Sequence, residues 1–469
     1  MEVPINLTGG DFQHKSRPLS NQITRNFWPQ PVQNAKARSP YVLTSFYGLK
    51  TFKTQSGGAD RGMKENQGTL YKVSGTTLYT VASDGTHTSR GTISGAARCV
   101  MSALGSSMII VNGSGAAYVW DGATLTEITD ADLLAPNGVA VLNNQAIFDD
   151  GAGQGFAVSD AGDPLTVNAL NTADAESASD ALKCPYAYRE TLYLFGEKTI
   201  ELWWNSGQGN PPFDKIQGAI INVGLASIHS LADNPDFIFF LGHDAHVHTL
   251  TGGSGAVDTQ ISTPALAKTF QGYTLTDAIG WTMELEGQWF YALTFPTDDI
   301  TWVYPVGGEW FQWGTGEGRI RANSYAYAFN KHLVADYASA DIYELDAETY
   351  TDAGATITRR RDSAPLHGGL FQADGKYLEM SRLEIFMETG VGLTSGQGSD
   401  PEMMISFSDD GGKTFGVERV VNVGTAGEFQ KSVVLTNLGR FKSRVIRVQV
   451  SDPIYWAIYS AKADIEVCI

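Results

Sequence analysis

The sequence predicts an all-β protein: a β-propeller-like central domain of six or seven irregular blades, a C-terminal antiparallel β-sandwich and an extended N-terminal arm. Three observations carry this. Charged residues are only 18% of the 469, while glycine occurs 51 times and aromatics reach 11%; many turn formers beside many aromatic and β-branched residues favour strands. Strand–turn–strand units recur every roughly 40 to 50 residues, the period of a propeller blade. Charge is also unevenly placed. Residues 1–64 hold nine Lys/Arg against three Asp/Glu, residues 65–354 hold 11 against 34, and residues 355–469 hold 13 against 14. These segments are expected to be the basic arm, the acidic propeller and the sandwich, with net charges of +6, −23 and −1.

In the arm, Pro4, Pro18, Pro29, Pro31 and Pro40 prevent a long helix and disfavour central strands. Phe12, Phe27, Trp28, Tyr41, Phe46 and Tyr47 are too many aromatics for a solvated linker, so the arm is expected to pack on something. From residue 65 onward, 68–85 alternates apolar and polar residues around turns at Ser74-Gly75 and Asp84-Gly85, a hairpin signal. Residues 101–128 repeat the plan with turns at Asn112-Gly113 and Asp121-Gly122, and 143–160 repeat it again. Small twisted sheets of this kind bury both faces by radial stacking; a pair of β-sandwiches is the competing container. Beyond 355 the strands lengthen. Ser443–Val450 alternates cleanly, as in a sheet with one buried face.

Composition limits function. A −23 segment is a poor binder of nucleic acid, since phosphate affinity depends on Lys and Arg displacing counterions; solubility is the plainer use of that charge. Cys99, Cys184 and Cys468 are odd in number and widely spaced, which argues against a zinc site or disulfide framework and for a reducing cytoplasm during synthesis. The N-terminus lacks a basic-then-apolar signal pattern, and no stretch approaches 18 uncharged apolar residues, so neither a signal peptide nor membrane insertion is expected.

Chemical motifs are sparse. Ser408, Asp410, Gly412, Thr414 and Phe415 fit the Asp-box pattern, which mechanically is a capped turn; a sialidase would need more copies and an arginine cluster. His243, His246 and His248, with Asp244, offer imidazoles for a metal or form a solvated strand end, and no fourth ligand is indicated. Asp149-Asp150 and Asp298-Asp299 read as turn caps rather than a glycosidase pair. The run Arg359-Arg360-Arg361 is expected to mark a linker or touch an acidic neighbour. No nucleophile elbow, phosphate loop or dinucleotide fingerprint appears. The expectation is therefore no enzyme, no cofactor and no metal.

The most specific signal is an ordered set of short motifs. It comprises Ala175-Glu176, Asp180, Leu194-Phe195-Gly196, Thr199-Ile200-Glu201 with Trp203, Asn205-Ser206-Gly207 and Pro212-Phe213. Upstream stand Gly10, Phe12, Lys15-Ser16, Pro18-Leu19-Ser20, Asn26-Phe27-Trp28-Pro29, Gly48-Leu49-Lys50 and Arg61-Gly62; downstream stand Leu438-Gly439-Arg440, Lys442 and Arg444. This set resembles the tail-hub proteins of short-tailed bacteriophages, also called packaged-DNA-stabilisation, tail accessory or nozzle proteins. One departure is Tyr47, where the family usually has proline. The resemblance implies a structural virion protein of the tail, made in the host bacterial cytoplasm. It further implies a ring, in known members a hexamer, stacked below the portal and its adaptor. Such a ring extends the DNA channel, helps retain packaged DNA and carries a tail fibre or tailspike and a needle or tip. DNA would pass without sequence-specific binding. In a ring of acidic bodies the basic arm is expected to cross a subunit boundary, with Arg17, Arg25, Lys36 and Arg38 supplying charge and Phe27 and Trp28 serving as apolar anchors. The alternative is a tail-associated glycan hydrolase, or an adhesin presenting Trp203, Trp204, Trp302 and Trp310.

Overall fold

In a computed structural model, residues 2–16, 19–32, 39–175 and 179–468 are described, and strands dominate them. Two units emerge: Thr51–Asp298 with Arg321–Glu344, and Met1–Lys50 with Asp299–Ile320 and Leu345–Ile469.

The first unit is the propeller. Five four-stranded antiparallel sheets follow one another along 60–92, 100–127, 139–174, 182–221 and 232–260, each with its strands in chain order. The hairpin Ile279–Leu285/Gln288–Phe295 and the antiparallel pair Ala322–Ala328/Lys331–Asp336 continue the series. Alternation explains why the sheets stack. In Ser107–Val111, Met108 and Ile110 face back to Tyr71, Val73 and Leu78 of the first sheet, while Ile109 and Val111 face forward to Phe148 and Val167 of the third. Ile147 and Val158 meet Leu192, Leu194 and Trp203 in the next interface, and Phe195 and Leu202 meet Phe240 and Leu250 in the one after. The second strands, such as Ser107–Val111, Gln145–Asp149 and Thr191–Gly196, thus read as nearly continuous apolar sequence, because both faces are buried.

The series closes on itself. Met63, Leu70 and Val81 of the first sheet pack against Ala326, Leu333 and Ile342 of the last. Polar bonds reinforce the seam. Buried Lys72 donates its ammonium to the carbonyls of Ala340 and Asp341. The Asp60 carboxylate accepts from Asn323 at 3.1 Å and Ser324 at 2.7 Å.

The second unit holds the sandwich. One sheet runs Phe27–Pro31, Tyr41–Ser45, Ala457–Val467, Leu378–Met387, Val433–Thr436, with Glu2–Ile5 also on Ala457–Val467. The facing strands include Asn21–Arg25, Arg359–Asp362, Ser443–Val450, Glu402–Ser408 and Arg419–Asn422. Between them lies a core of Ile5, Leu7, Phe27, Leu43, Leu383, Ile405, Val448, Trp456 and Ile465. Gly48 is dictated by close approach: a Cβ there would sit 2.2 Å from the Thr349 carbonyl oxygen.

The N-terminal segment is extended, but its described strands are stitched into this same unit of the same chain. Arg361, expected to touch a neighbour or mark a linker, does the stitching. Its buried guanidinium donates to the carbonyls of Leu7 (2.9 Å) and Gly10 (2.7 Å), to the Thr24 hydroxyl (2.6 Å) and to the Gln22 amide oxygen (2.8 Å). Burial lowers its pKa to about 10, with Asp11 and Asp362 opposing. Arg360 and Arg447 both pair with the buried Asp362 carboxylate. The run of three arginines is therefore a strand of its own unit; alternation sends Arg359 and Arg361 inward while Arg360 stays half-buried.

Replacing Arg361 by Met should leave four acceptors without their donor. We expect a loss of roughly 2–4 kcal/mol in the denaturant transition of this unit, followed by urea unfolding with tryptophan fluorescence. An unchanged midpoint would show that the segment is held by other means.

Candidate functional site

The first strand of every propeller sheet lines a central cavity of about 910 Å³. Seven such strands among the described residues contribute, from Asp60–Asn66 round to Ala322–Ala328. Most of the lining is backbone and small or aliphatic side chains, among them Val100, Val139 and Ala187. Polar and aromatic groups gather on part of the wall: Lys64, Tyr186, Asp233, Glu284, Tyr325, Tyr327 and His332. Lys64, Asp233, Glu284 and Tyr327 are exposed within it.

The groups are ordered by one another. The Tyr186 hydroxyl donates to Asp233, and burial together with that carboxylate raises the phenol's pKa well above normal. Lys64 still meets solvent, yet the surrounding walls lower its pKa, with Asp233 opposing. His229, beside Arg98, is held neutral by burial, its pKa lowered to about 3. Trp281 stacks on Tyr325 at 5.3 Å and 10°, and the Tyr325 hydroxyl meets His332 Nδ1 at 2.8 Å. No motif marked these residues in the sequence; only the blade register, which makes the first strand of each unit the inner one, would have located them.

The residues singled out by sequence fall elsewhere. Arg17, Lys36 and Arg38 lie outside the described residues. Arg25 is buried and donates to the carbonyls of Gly316 (2.9 Å) and Gly318 (2.5 Å). Phe27 is fully enclosed and Trp28 is 6% exposed. Anchors for a neighbouring chain need free surface, so Arg25, Phe27 and Trp28 are corrected to interior residues of their own unit. Of the four tryptophans offered for an adhesin, Trp203, Trp302 and Trp310 are buried and Trp204 is 47% exposed.

His248 is the best-enclosed of the three histidines. Its Nδ1 lies 2.8 Å from Asp258 and its Nε2 lies 3.2 Å from Asp244, so both ring nitrogens are engaged. His243 Nδ1 accepts from the Gly224 amide and His246 Nδ1 meets the Ser262 hydroxyl. Among the described residues no group of three or more His, Cys, Asp or Glu side chains is placed to hold a metal. Asp410 accepts from the amides of Lys413 and Thr414 and from the Ser408 and Thr414 hydroxyls, which hold its pKa well below the carboxylate range. Gly412 takes φ +82 there, a backbone region that glycine enters freely. Asp149, Asp150, Asp298 and Asp299 each accept backbone amides in turns. These motifs form capped loops.

The signature residues are likewise spent on structure. Arg61 is buried and donates to the carbonyls of Gly75, Ile93, Ser94, Ala97 and Asn112, joining the first two sheets. Asp180 caps the amides of Lys198 and Thr199. Glu201 accepts from the Trp203 indole at 3.1 Å and pairs with Lys215 at 3.3 Å. Arg444 forms a two-pronged bond to Asp409 and donates to the Leu438 carbonyl.

The fold is a propeller and a sandwich, and the motif residues just described bond to the scaffold. Family models agree: that of the bacteriophage P22 Gp10 β-propeller matches residues 1–350 and that of the P22 Gp10 β-sandwich matches residues 365–466. The chain belongs to the bacteriophage P22 Gp10 family, and it is a structural protein of a phage tail. No curated protein matches it in sequence. Among solved structures, a streptogramin B lyase covers 64% of this chain and 98% of its own at 10% identity and a TM-score of 0.45. Virginiamycin B lyase from Staphylococcus aureus gives the same figures. BamB from Moraxella catarrhalis covers 74% of this chain and 98% of its own, at 10% identity and a TM-score of 0.38. None of these three likenesses bears on function at these values.

His248 supplies a pH test. Burial opposes the charged ring, but the bond and charge of Asp258 and the charge of Asp244 outweigh it, so its pKa is raised. A raised folded-state pKa gives stability that is full below the unfolded value of about 6.5 and lost as pH rises through the folded value. The stability gap between the wild type and His248→Gln should therefore be largest near pH 5.5 and shrink above neutrality. Urea unfolding at several pH values reads it, and a gap constant with pH would disprove the paired imidazolium.

Proposed function

We propose that this chain forms a ring in the phage tail, below the portal and its adaptor, that extends the DNA channel, helps retain packaged DNA and carries the distal tail parts. The observation that carries the reading is the match of both domains, in order and across nearly the whole chain, to the P22 Gp10 models. Charge supports it. A segment of net charge −23 offers the duplex no counterion-releasing grip, which keeps sliding resistance low where that segment faces DNA. The same charge makes body-to-body contacts repulsive, so assembly calls for basic surface from elsewhere. Of the four basic contacts expected from the sequence, Arg25 is consumed internally, which leaves Arg17, Lys36 and Arg38 as the proposed contacts to a neighbouring copy or to the adaptor.

Truncating residues 2–40 would not test this, because Ile5, Leu7 and Phe27 belong to the sandwich core. The test is the triple charge reversal Arg17→Glu, Lys36→Glu, Arg38→Glu. We expect tail incorporation in vitro to fall at least about tenfold, equivalent to about 1.4 kcal/mol, while the thermal unfolding curve of the free chain is kept. Negative-stain images of wild-type assemblies should show rings with a central channel. Normal incorporation of the triple variant would overturn the basic-contact reading, and the absence of rings would overturn the hub itself.

A further inference from the structure

We propose that the aromatic and polar wall of the propeller cavity, centred on Tyr327 and Glu284, binds a neutral saccharide. The inference goes beyond the structural role and does not need the ring, since the cavity lies wholly within one unit of one chain.

Size comes first. About 910 Å³ falls within the range of small-molecule sites, roughly 300–1,000 Å³. The cavity is ample for two or three sugar rings. Shape of the wall comes next. Tyr327 is 53% exposed although it sits on an inner strand, where the ring closure would otherwise enclose it. An aromatic ring left open inside a concave site, with a half-buried Trp289 on the same lining, presents the apolar platform on which the C–H face of a pyranose stacks. The platform is backed and rigid. Tyr327 leans on His332 at 4.9 Å, His332 stacks on Tyr325, and Tyr325 stacks on Trp281. Pre-ordered side chains lower the entropy cost of binding.

Chemistry narrows the ligand. Glu284, Asp233 and Lys64 are exposed around the platform, and His332 adds an imidazole. Carboxylates accept two hydroxyls each and an ammonium donates to three acceptors, the pairing that a polyol edge requires. Charge is close to balance on the lining, with Lys64 and Arg98 against Glu65, Asp233 and Glu284. That leaves no cationic excess for phosphate or a carboxylated sugar. A quaternary ammonium prefers a cage of open aromatic faces, but Trp281 and Tyr325 spend facing surfaces on each other. A purely apolar ligand would strand the carboxylates and the ammonium.

The test is saturation-transfer NMR and calorimetry on the full-length free chain. The probes are neutral di- to tetrasaccharides of glucose, galactose, mannose and N-acetylglucosamine. At least one should bind. Tyr327→Ala should weaken it about tenfold, the scale of one aromatic contact of about 1.4 kcal/mol, and Glu284→Gln should weaken it by a smaller factor. Trp204→Ala, an exposed aromatic on the third strand of its sheet and off the cavity lining, should leave it unchanged. Because Tyr327 is half open, its variant should melt like the wild type. No binding by any probe, or binding unaffected by Tyr327→Ala, would each overturn the proposal.

Discussion

Closure of the propeller between its first and last sheets is the constraint on which the rest of that unit depends. A train of small sheets has two unsatisfied ends, and each end would expose an apolar face unless the ends meet. Here Met63, Leu70 and Val81 meet Ala326, Leu333 and Ile342, an apolar contact between residues more than 240 positions apart in the chain. Such a contact pays a large loop-closure entropy, so its polar reinforcement matters. Lys72 is an ammonium inside that seam, bonded to two carbonyls, and Asp60 is a carboxylate that accepts from Asn323 and Ser324 at one oxygen. Unpaired, either charge would cost several kcal/mol, so these bonds also select the correct partner sheet. Closure in turn creates the cavity, since only a closed series brings the seven first strands to a common axis.

Arg361 plays the corresponding part in the other unit. It binds acceptors from Leu7 to Thr24 at one guanidinium, and so fixes the course of that segment beside the short ladders it makes. Asp11, close by, illustrates the cost of that burial: desolvation raises its carboxyl pKa to about 7 despite bonds from Gln13 and Gln312. The segment is basic by count, yet Arg25 and Arg61 are both consumed as internal donors to carbonyls. The net charge of residues 1–64 therefore overstates how basic their surface is.

The all-β class, the propeller followed by a sandwich and the family were legible in the sequence. Those features are local or ordinal: turn glycines, alternating strands, a repeat period and motifs in fixed order need no knowledge of what packs on what. The roles of the motif residues were not legible. Asp180, Glu201 and Arg61 look like chemistry in a string of letters, because a carboxylate or guanidinium that caps backbone groups has the same name as one that binds a ligand. Only their partners, Lys198, Lys215 and the carbonyls of neighbouring turns, tell the two apart.

The sequence by itself determined which segments become strands and how they alternate, through backbone sterics and side-chain period. Tertiary structure decided which residues face which space. It put Phe27 and Trp28 inside rather than on an interface, divided Met1–Lys50 from Thr51–Asp298, returned Asp299–Ile320 to the unit of the sandwich, and brought Tyr327, Glu284 and Asp233 onto one cavity wall. The physical reason is separation along the chain. Contacts across tens to hundreds of residues depend on how the ring closes and on which sheet a strand joins, and neither leaves a periodic trace in the local sequence.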